Sequence, residues 1–180
     1  MYLQLLAFLS PVIGILMAGS GIVSCPGHGL REATHPSMLY TLSLPVPRRR
    51  WLQIRTALGL MLTVGLIGLM VAVPPLIGPF WNHRFSWVWA IRAVPFLFLG
   101  SAVFHMFAVL LETLRGANWR VGSMAALFVC VAVQATLRNR INIFPFMAGL
   151  ETSALGILVC LALSALLFWR AIVALDRRDF

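Results

Sequence analysis

Residues 57–77 read ALGLMLTVGLIGLMVAVPPLI and contain no charged side chain. A helix needs about 20 predominantly apolar residues to cross the hydrocarbon core of a bilayer, and this run is long enough. Four further apolar runs lie at about residues 2–24, 86–111, 121–137 and 152–174. The sequence therefore predicts five transmembrane helices.

The composition agrees with this prediction. Of the 180 residues, 61% are hydrophobic and 11% are charged, and the mean hydropathy is +0.93. A soluble domain carries about 25% charged residues, so a soluble globule is excluded. The sequence also lacks the regular polar and apolar alternation of a transmembrane β-barrel. We predict an all-α fold, a polytopic integral membrane helix bundle in which residues 1–180 form a single transmembrane domain.

The charged residues exclude several kinds of chemistry. All 14 basic residues are arginines and only 5 residues are acidic, which gives a net charge of +9. A chain without lysine has neither a P-loop lysine nor a Schiff-base lysine. The acidic residues lie at or beyond the ends of the predicted spans, and both aspartates fall near the C-terminus, so a Ser-His-Asp site is not expected. We predict no intrinsic catalysis and no cofactor in this chain.

The arginines lie in short segments between the apolar runs, where they set membrane orientation rather than bind nucleic acid. The first loop, the third loop and the C-terminal tail hold most of them, and the segments on the other side hold only Arg84, Arg138 and Arg140. Because cytoplasmic loops are rich in arginine, we place those three segments in the cytoplasm and the N-terminus outside. The chain is then a multi-pass protein of the plasma membrane, which is the inner membrane in a bacterium.

Two polar residues fall inside a predicted span. Arg92 either serves a function within the membrane or extends its side chain to the outer surface. His105 precedes Glu112 by seven residues, which places both on one helix face. One histidine and one carboxylate do not make a metal site, so we favour a histidine that is hydrogen-bonded within the bundle. The three cysteines lack CxxC spacing, so neither a disulfide framework nor a zinc site is expected.

The longest connection, residues 25–56, contains a short segment bounded by prolines, residues 37–44. Within it Met38, Leu39 and Leu42 form one apolar face of a predicted helix. Such a helix either lies in the lipid headgroup layer or binds a groove of a cytoplasmic partner. The basic residues that follow are expected to anchor the chain at the membrane interface: Arg48, Arg49 and Arg50.

Residues 41–50, TLSLPVPRRR, resemble a run in the permease subunits of ABC-2 type transporters. In that family a cytoplasmic segment after the second membrane helix commonly ends in an LSLPVSRRR-like sequence, and the match here is complete except at Pro47. The final residues, 177–180, are also similar to the usual end of the family. Five spans that end in the cytoplasm correspond to helices two to six of its six-helix domain, so the family's first helix is not represented.

The resemblance implies that the chain is the membrane-spanning subunit of an ATP-driven exporter. A separate ATPase subunit would bind ATP and Mg²⁺ and would contact loop 25–56 through a coupling helix. The transport path would lie between this domain and a second permease domain, in a homodimer or a paired permease. The residues of the coupling helix would be Met38, Leu39, Tyr40, Leu42 and Leu44.

Two other functions stay open on the sequence alone. A membrane scaffold or assembly protein would carry the same loop helix flat on the bilayer. An ion-coupled carrier would use Arg92 or His105 and would move protons or other ions without an ATPase. The permease interpretation requires an accompanying ATPase, whereas the other two interpretations do not.

Overall fold

The computed structural model describes residues 2–18, 23–24, 33–34, 47–77, 87–115, 119–136 and 154–177. Within these ranges the chain forms five helices: α1 (Tyr2–Ala18), α2 (Arg48–Ile77), α3 (Trp87–Arg115), α4 (Trp119–Thr136) and α5 (Ala154–Asp176). The other described element is a short antiparallel ladder of β1 (Val23–Ser24) with β2 (Ala33–Thr34). Each helix overlaps one predicted span, and the prediction of a helical protein is confirmed.

Three of the helices are long and apolar enough to cross a membrane. The stretches concerned are Arg49–Leu76 in α2, Ile91–Leu114 in α3 and Ile157–Asp176 in α5, and α1 contributes a shorter apolar stretch, Leu9–Ala18. Soluble monomers rarely expose large contiguous apolar patches. These helices do expose many large apolar side chains, among them Met61, Leu69, Ile91 and Leu158.

The second helix begins earlier than its apolar run. The sequence predicted a start at residue 57, but α2 begins at Arg48. The backbone N–H groups of Arg50 and Trp51 both donate to the carbonyl oxygen of Pro47 and so form the first turn. Arginine, leucine and glutamine are good helix formers, which lets the helix extend beyond the apolar run. Residues 48–56 therefore belong to α2 rather than to the loop.

The first helix ends earlier than its apolar run. The sequence predicted a span to residue 24, but α1 ends at Ala18 and Val23–Ser24 form β1. Gly19 and Gly21 follow Ala18 in the sequence. Glycine is a poor helix former, and hydropathy does not distinguish a helix from a strand, so an apolar run that ends in β1 overestimates the length of the helix.

The central helix is α3, which contacts each of the other four helices. Two groups of buried apolar side chains surround it. The first, towards the C-terminal half of α3, includes Ile15, Leu52, Ala108, Leu127 and Leu175. The second, towards its N-terminal half, includes Leu6, Ile67, Val71, Ala93 and Leu97. The core therefore runs along α3, and half of the α5 side chains whose burial is described remain exposed.

Two glycines let helices approach closely in the interior. A Cβ atom added to Gly14 of α1 would collide with the backbone oxygen of Ser101 in α3. A Cβ atom added to Gly59 of α2 would lie 3.0 Å from the carbonyl oxygen of Met17 and would press against the His105 ring. Small residues permit such contacts between membrane helices, whose association depends on close packing. The two glycines thus set the spacing of α1, α2 and α3.

Candidate functional site

An ion pair between α2 and α3 lies inside the bundle. Nη2 of Arg55 is 2.9 Å from Oε2 of Glu112 and 3.2 Å from Oε1. The Glu112 side chain is fully buried, and the Arg55 side chain is 15% exposed. Removing two charges from water is costly, and their attraction offsets that cost only when the geometry is good. We call Arg55 and Glu112 the inner pair.

Arg55 also binds the end of α1. Its Nη2 donates to the carbonyl oxygen of Ala18, 3.0 Å away. Ala18 is the last residue of α1, and the last four carbonyl groups of a helix have no partner within that helix. A cation at this position also interacts favourably with the negative end of the helix dipole. One guanidinium group therefore joins the ends of α1 and α3 to α2.

A second ion pair joins α2 to α5. Arg49 donates from Nη2 and Nε to Oδ2 of Asp176, at 2.7 and 2.9 Å. The Arg49 side chain is 67% exposed and the Asp176 side chain is 33% exposed. Exposed ion pairs contribute little to stability because water and salt screen them. We call Arg49 and Asp176 the outer pair.

The two pairs bring four helix ends to one end of the bundle. Ala18 ends α1, Arg48 begins α2, Glu112 lies in the last turn of α3, and Asp176 ends α5. The end of α1 and the start of α2, which flank residues 19–47, therefore both lie at that end. The ends that the sequence assigned to the cytoplasm are thus neighbours in the structure.

His105 and Glu112 have different partners. The Nδ1 atom of His105 is 3.0 Å from the carbonyl oxygen of Gly14 in α1. A carbonyl oxygen only accepts hydrogen bonds, so Nδ1 carries the proton in this contact and Nε2 is left as an acceptor. Nε2 is buried without a hydrogen-bond partner, and it faces Gly59 of α2. The structure thus gives His105 a hydrogen bond to α1, as expected for a histidine bonded within the bundle, whereas Glu112 binds Arg55.

Arg92 lies near the start of α3, and its side chain is exposed on the surface of the bundle. It follows Ile91, at which the apolar stretch of α3 begins. An arginine at such a position can extend its guanidinium group to the membrane interface. His105 lies about 20 Å further along the helix axis, so the structure does not bring the two residues together.

The predicted coupling residues lie outside the described residues: Met38, Leu39, Tyr40, Leu42 and Leu44. The predicted interface arginines are described, and Arg48, Arg49 and Arg50 form the first turn of α2. That turn contains no acidic residue, although the N-terminal end of a helix favours negative charge. Asp176 supplies a negative charge from α5 by binding Arg49, and the Arg50 side chain is exposed.

The charged side chains of the inner and outer pairs form ion pairs rather than a metal site. Within the described parts of the chain, no three His, Cys, Asp or Glu side chains lie close enough together to hold a metal ion. The two carboxylates in those parts, Glu112 and Asp176, each bind an arginine. Both pairs therefore serve to hold helix ends against one another.

The sequence did not reveal the inner pair. Arg55 was assigned to the loop, and Glu112 was treated as a carboxylate at the end of a span. One signal was available, because Glu112 follows a long apolar run and a charge beside lipid needs a partner. The partner itself could not be chosen from spacing, since the two residues are 57 positions apart.

Comparison with known proteins finds no relative. No protein-family model matches the chain, no curated protein matches it, and no solved structure matches it. Support for a function therefore comes from the chain's own sequence and structure.

Proposed function

We propose that this chain is the membrane-spanning permease subunit of an ATP-driven exporter of the ABC-2 type. Its five helices cross the plasma membrane, with the N-terminus outside and the C-terminus in the cytoplasm. ATP and Mg²⁺ bind to a separate ATPase subunit, which contacts residues 37–44 of the loop between α1 and α2. A second permease domain completes the transport path, and the chain itself has no catalytic activity.

The observation that carries this proposal is the run at residues 41–50. Its sequence resembles the segment that leads into a membrane helix in ABC-2 permeases. Its last three residues form the first turn of α2, a long apolar helix. A chain without a lysine has no P-loop of its own, so an ATP-driven role requires a partner that hydrolyses ATP.

The arrangement of helix ends also supports the proposal. The end of α1 lies against α2, because Arg55 binds the carbonyl oxygen of Ala18. A partner that binds the segment between these helices therefore acts on both of them. The inner pair extends that connection to α3, and the outer pair extends it to α5. A movement of α2 at this end of the bundle would therefore be transmitted to α1, α3 and α5.

The proposal is tested with the tagged full chain, extracted from membranes in mild detergent and affinity-purified. We expect an ATPase with a Walker A sequence to co-purify in stoichiometric amount, as identified by mass spectrometry. The double variant Leu39→Asp/Leu42→Asp places charges on the predicted apolar face and should lose the ATPase while it still inserts into the membrane. Thr41→Asp adds charge to the same segment outside that face and should retain the ATPase.

Two outcomes count against the proposal in different ways. A wild-type chain that co-purifies no ATPase contradicts the permease function, and a scaffold or an ion-coupled carrier then takes its place. An ATPase that stays bound to the Leu39→Asp/Leu42→Asp variant contradicts the role of the loop face. In that case the permease function stands and the contact lies elsewhere.

A further inference from the structure

We infer that the exposed arginines next to the outer pair bind the phosphate group of an anionic phospholipid. The residues are Arg50 at the start of α2 and Arg177 directly after α5, and we call them the lipid site. This inference does not depend on the proposed transport function, because it concerns the surface that the bundle presents to the membrane.

The first step is the balance of charge at this end of the bundle. Asp176 accepts both hydrogen bonds from Arg49, and Glu112 is buried against Arg55. The carboxylates in the described parts of the chain are therefore already engaged. Arg50 and Arg177 are both exposed. Among the described residues, this end of the bundle therefore holds more guanidinium groups than carboxylates, and such a balance favours an anion from outside the chain.

The second step is the proximity of the two arginines. Arg50 follows Arg49 in α2, and Arg177 follows Asp176 at the end of α5. Because the Arg49 and Asp176 side chains are in contact, the outer pair holds these two chain segments together. A single phosphate group placed between the segments would meet positive charge from both.

The third step is the level of the site relative to the apolar helices. Arg49 lies eight residues before the charge-free run that begins at residue 57 of α2, and Asp176 ends the apolar stretch of α5, so the outer pair lies at the edge of the hydrocarbon core or outside it. Lipid phosphate groups lie just outside this boundary. One side of α5 also carries Trp169, which is 56% exposed, and tryptophan is enriched at the membrane interface.

The fourth step distinguishes a lipid from free phosphate. A guanidinium group matches the geometry of phosphate in either molecule. Further into the membrane than the lipid site, however, α2 exposes Ile54 and Leu58, and α5 exposes Leu166, which lies eleven residues before Arg177. These side chains would contact the acyl chains of a lipid whose phosphate is held by the arginines. A phospholipid therefore gains contacts at both its head and its tail, which inorganic phosphate does not.

The test is thermal unfolding of the purified full chain in detergent, with added phosphatidylglycerol, phosphatidylcholine or inorganic phosphate. A ligand that binds only the folded state raises Tm. We expect phosphatidylglycerol to raise Tm more than phosphatidylcholine does, and Arg50→Gln/Arg177→Gln to remove that difference. Arg50→Lys/Arg177→Lys should retain most of it, since lysine still supplies the charge.

Arg92→Gln is the matched control. Arg92 is also exposed, but it lies near the start of α3, whereas the lipid site lies at the end of the bundle where α3 ends. This variant should keep the full difference between the two lipids. The inference is overturned if Arg50→Gln/Arg177→Gln keeps the difference, or if Arg92→Gln loses as much of it. A rise in Tm of equal size with inorganic phosphate also overturns it, since the site would then bind free phosphate. None of these results depends on an ATPase.

Discussion

The inner and outer pairs have almost the same bond lengths but different surroundings. Both join α2 to a neighbouring helix at one end of the bundle. Glu112 is fully buried, whereas two-thirds of the Arg49 side chain is exposed. If a buried pair loses one partner, the other charge stays in an apolar interior without compensation. If an exposed pair loses one partner, water replaces it. Burial, rather than distance, therefore decides how much each pair contributes.

The largest effect is expected when one partner of the inner pair is removed. Glu112→Ala leaves the Arg55 guanidinium with the Ala18 carbonyl and the Trp51 ring but without a counter-charge, and the free energy of unfolding should fall by about 3–5 kcal/mol. The measurement is denaturant unfolding of the purified full chain in detergent. Asp176→Ala is the control, because it removes a carboxylate of the outer pair. Equal losses in the two variants would remove the distinction between the pairs.

A smaller loss of stability is expected at Gly59, which lets α2 approach α1 and α3 closely. Gly59→Ala should lower the free energy of unfolding by about 1–3 kcal/mol, because its Cβ would press on the His105 ring and approach the Met17 carbonyl. Gly65→Ala is the matched control on the same helix, since a Cβ added there meets nothing within 4 Å. The control should be neutral or slightly stabilising, as alanine is the better helix former. A destabilised Gly65→Ala variant would show that the effect is not one of packing.

Replacing both members of the inner pair by apolar residues should cost less than removing one. In Arg55→Met/Glu112→Leu no buried charge remains, and the expected change is within about 1 kcal/mol of the wild type. A loss as large as the sum of Arg55→Ala and Glu112→Ala, measured in the same unfolding assay, would show that the two residues act independently.

The smallest effect is expected at the outer pair. Asp176→Asn should leave the free energy of unfolding unchanged within error, because the Arg49 side chain is already well solvated. High salt should abolish any difference that appears at low salt, whereas the loss caused by Glu112→Ala should persist, since buried charges are screened much less. Salt sensitivity of the Glu112→Ala loss would indicate that water reaches the inner pair.

The positions of the helices could be predicted from the sequence, and their ends could not. Each described helix overlaps an apolar run, because hydropathy locates the part of a helix that suits lipid. The start of α2 at Arg48 depends on helix propensity and on the Pro47 carbonyl, which hydropathy does not register. The apolar run at residues 2–24 contains both α1 and the strand residues Val23–Ser24, which an apolar count accepts as part of one span.

The candidate site was predicted less well than the fold. The inner pair depends on how α2 and α3 pack, and no local pattern around Arg55 or Glu112 specifies that packing. The predicted coupling residues came from a resemblance and lie outside the described residues, so their role stays a prediction. His105 and Arg92 were single polar residues in an apolar run, and only the fold shows that one lies inside the bundle and the other on its surface.

We propose that an ATPase partner drives this chain. Affinity purification of the tagged wild-type chain in mild detergent, followed by mass spectrometry and an assay of ATP hydrolysis in the eluate, tests it most directly. We expect a stoichiometric P-loop ATPase and measurable hydrolysis of ATP. A chain that is purified folded but alone, without hydrolysis, would contradict it.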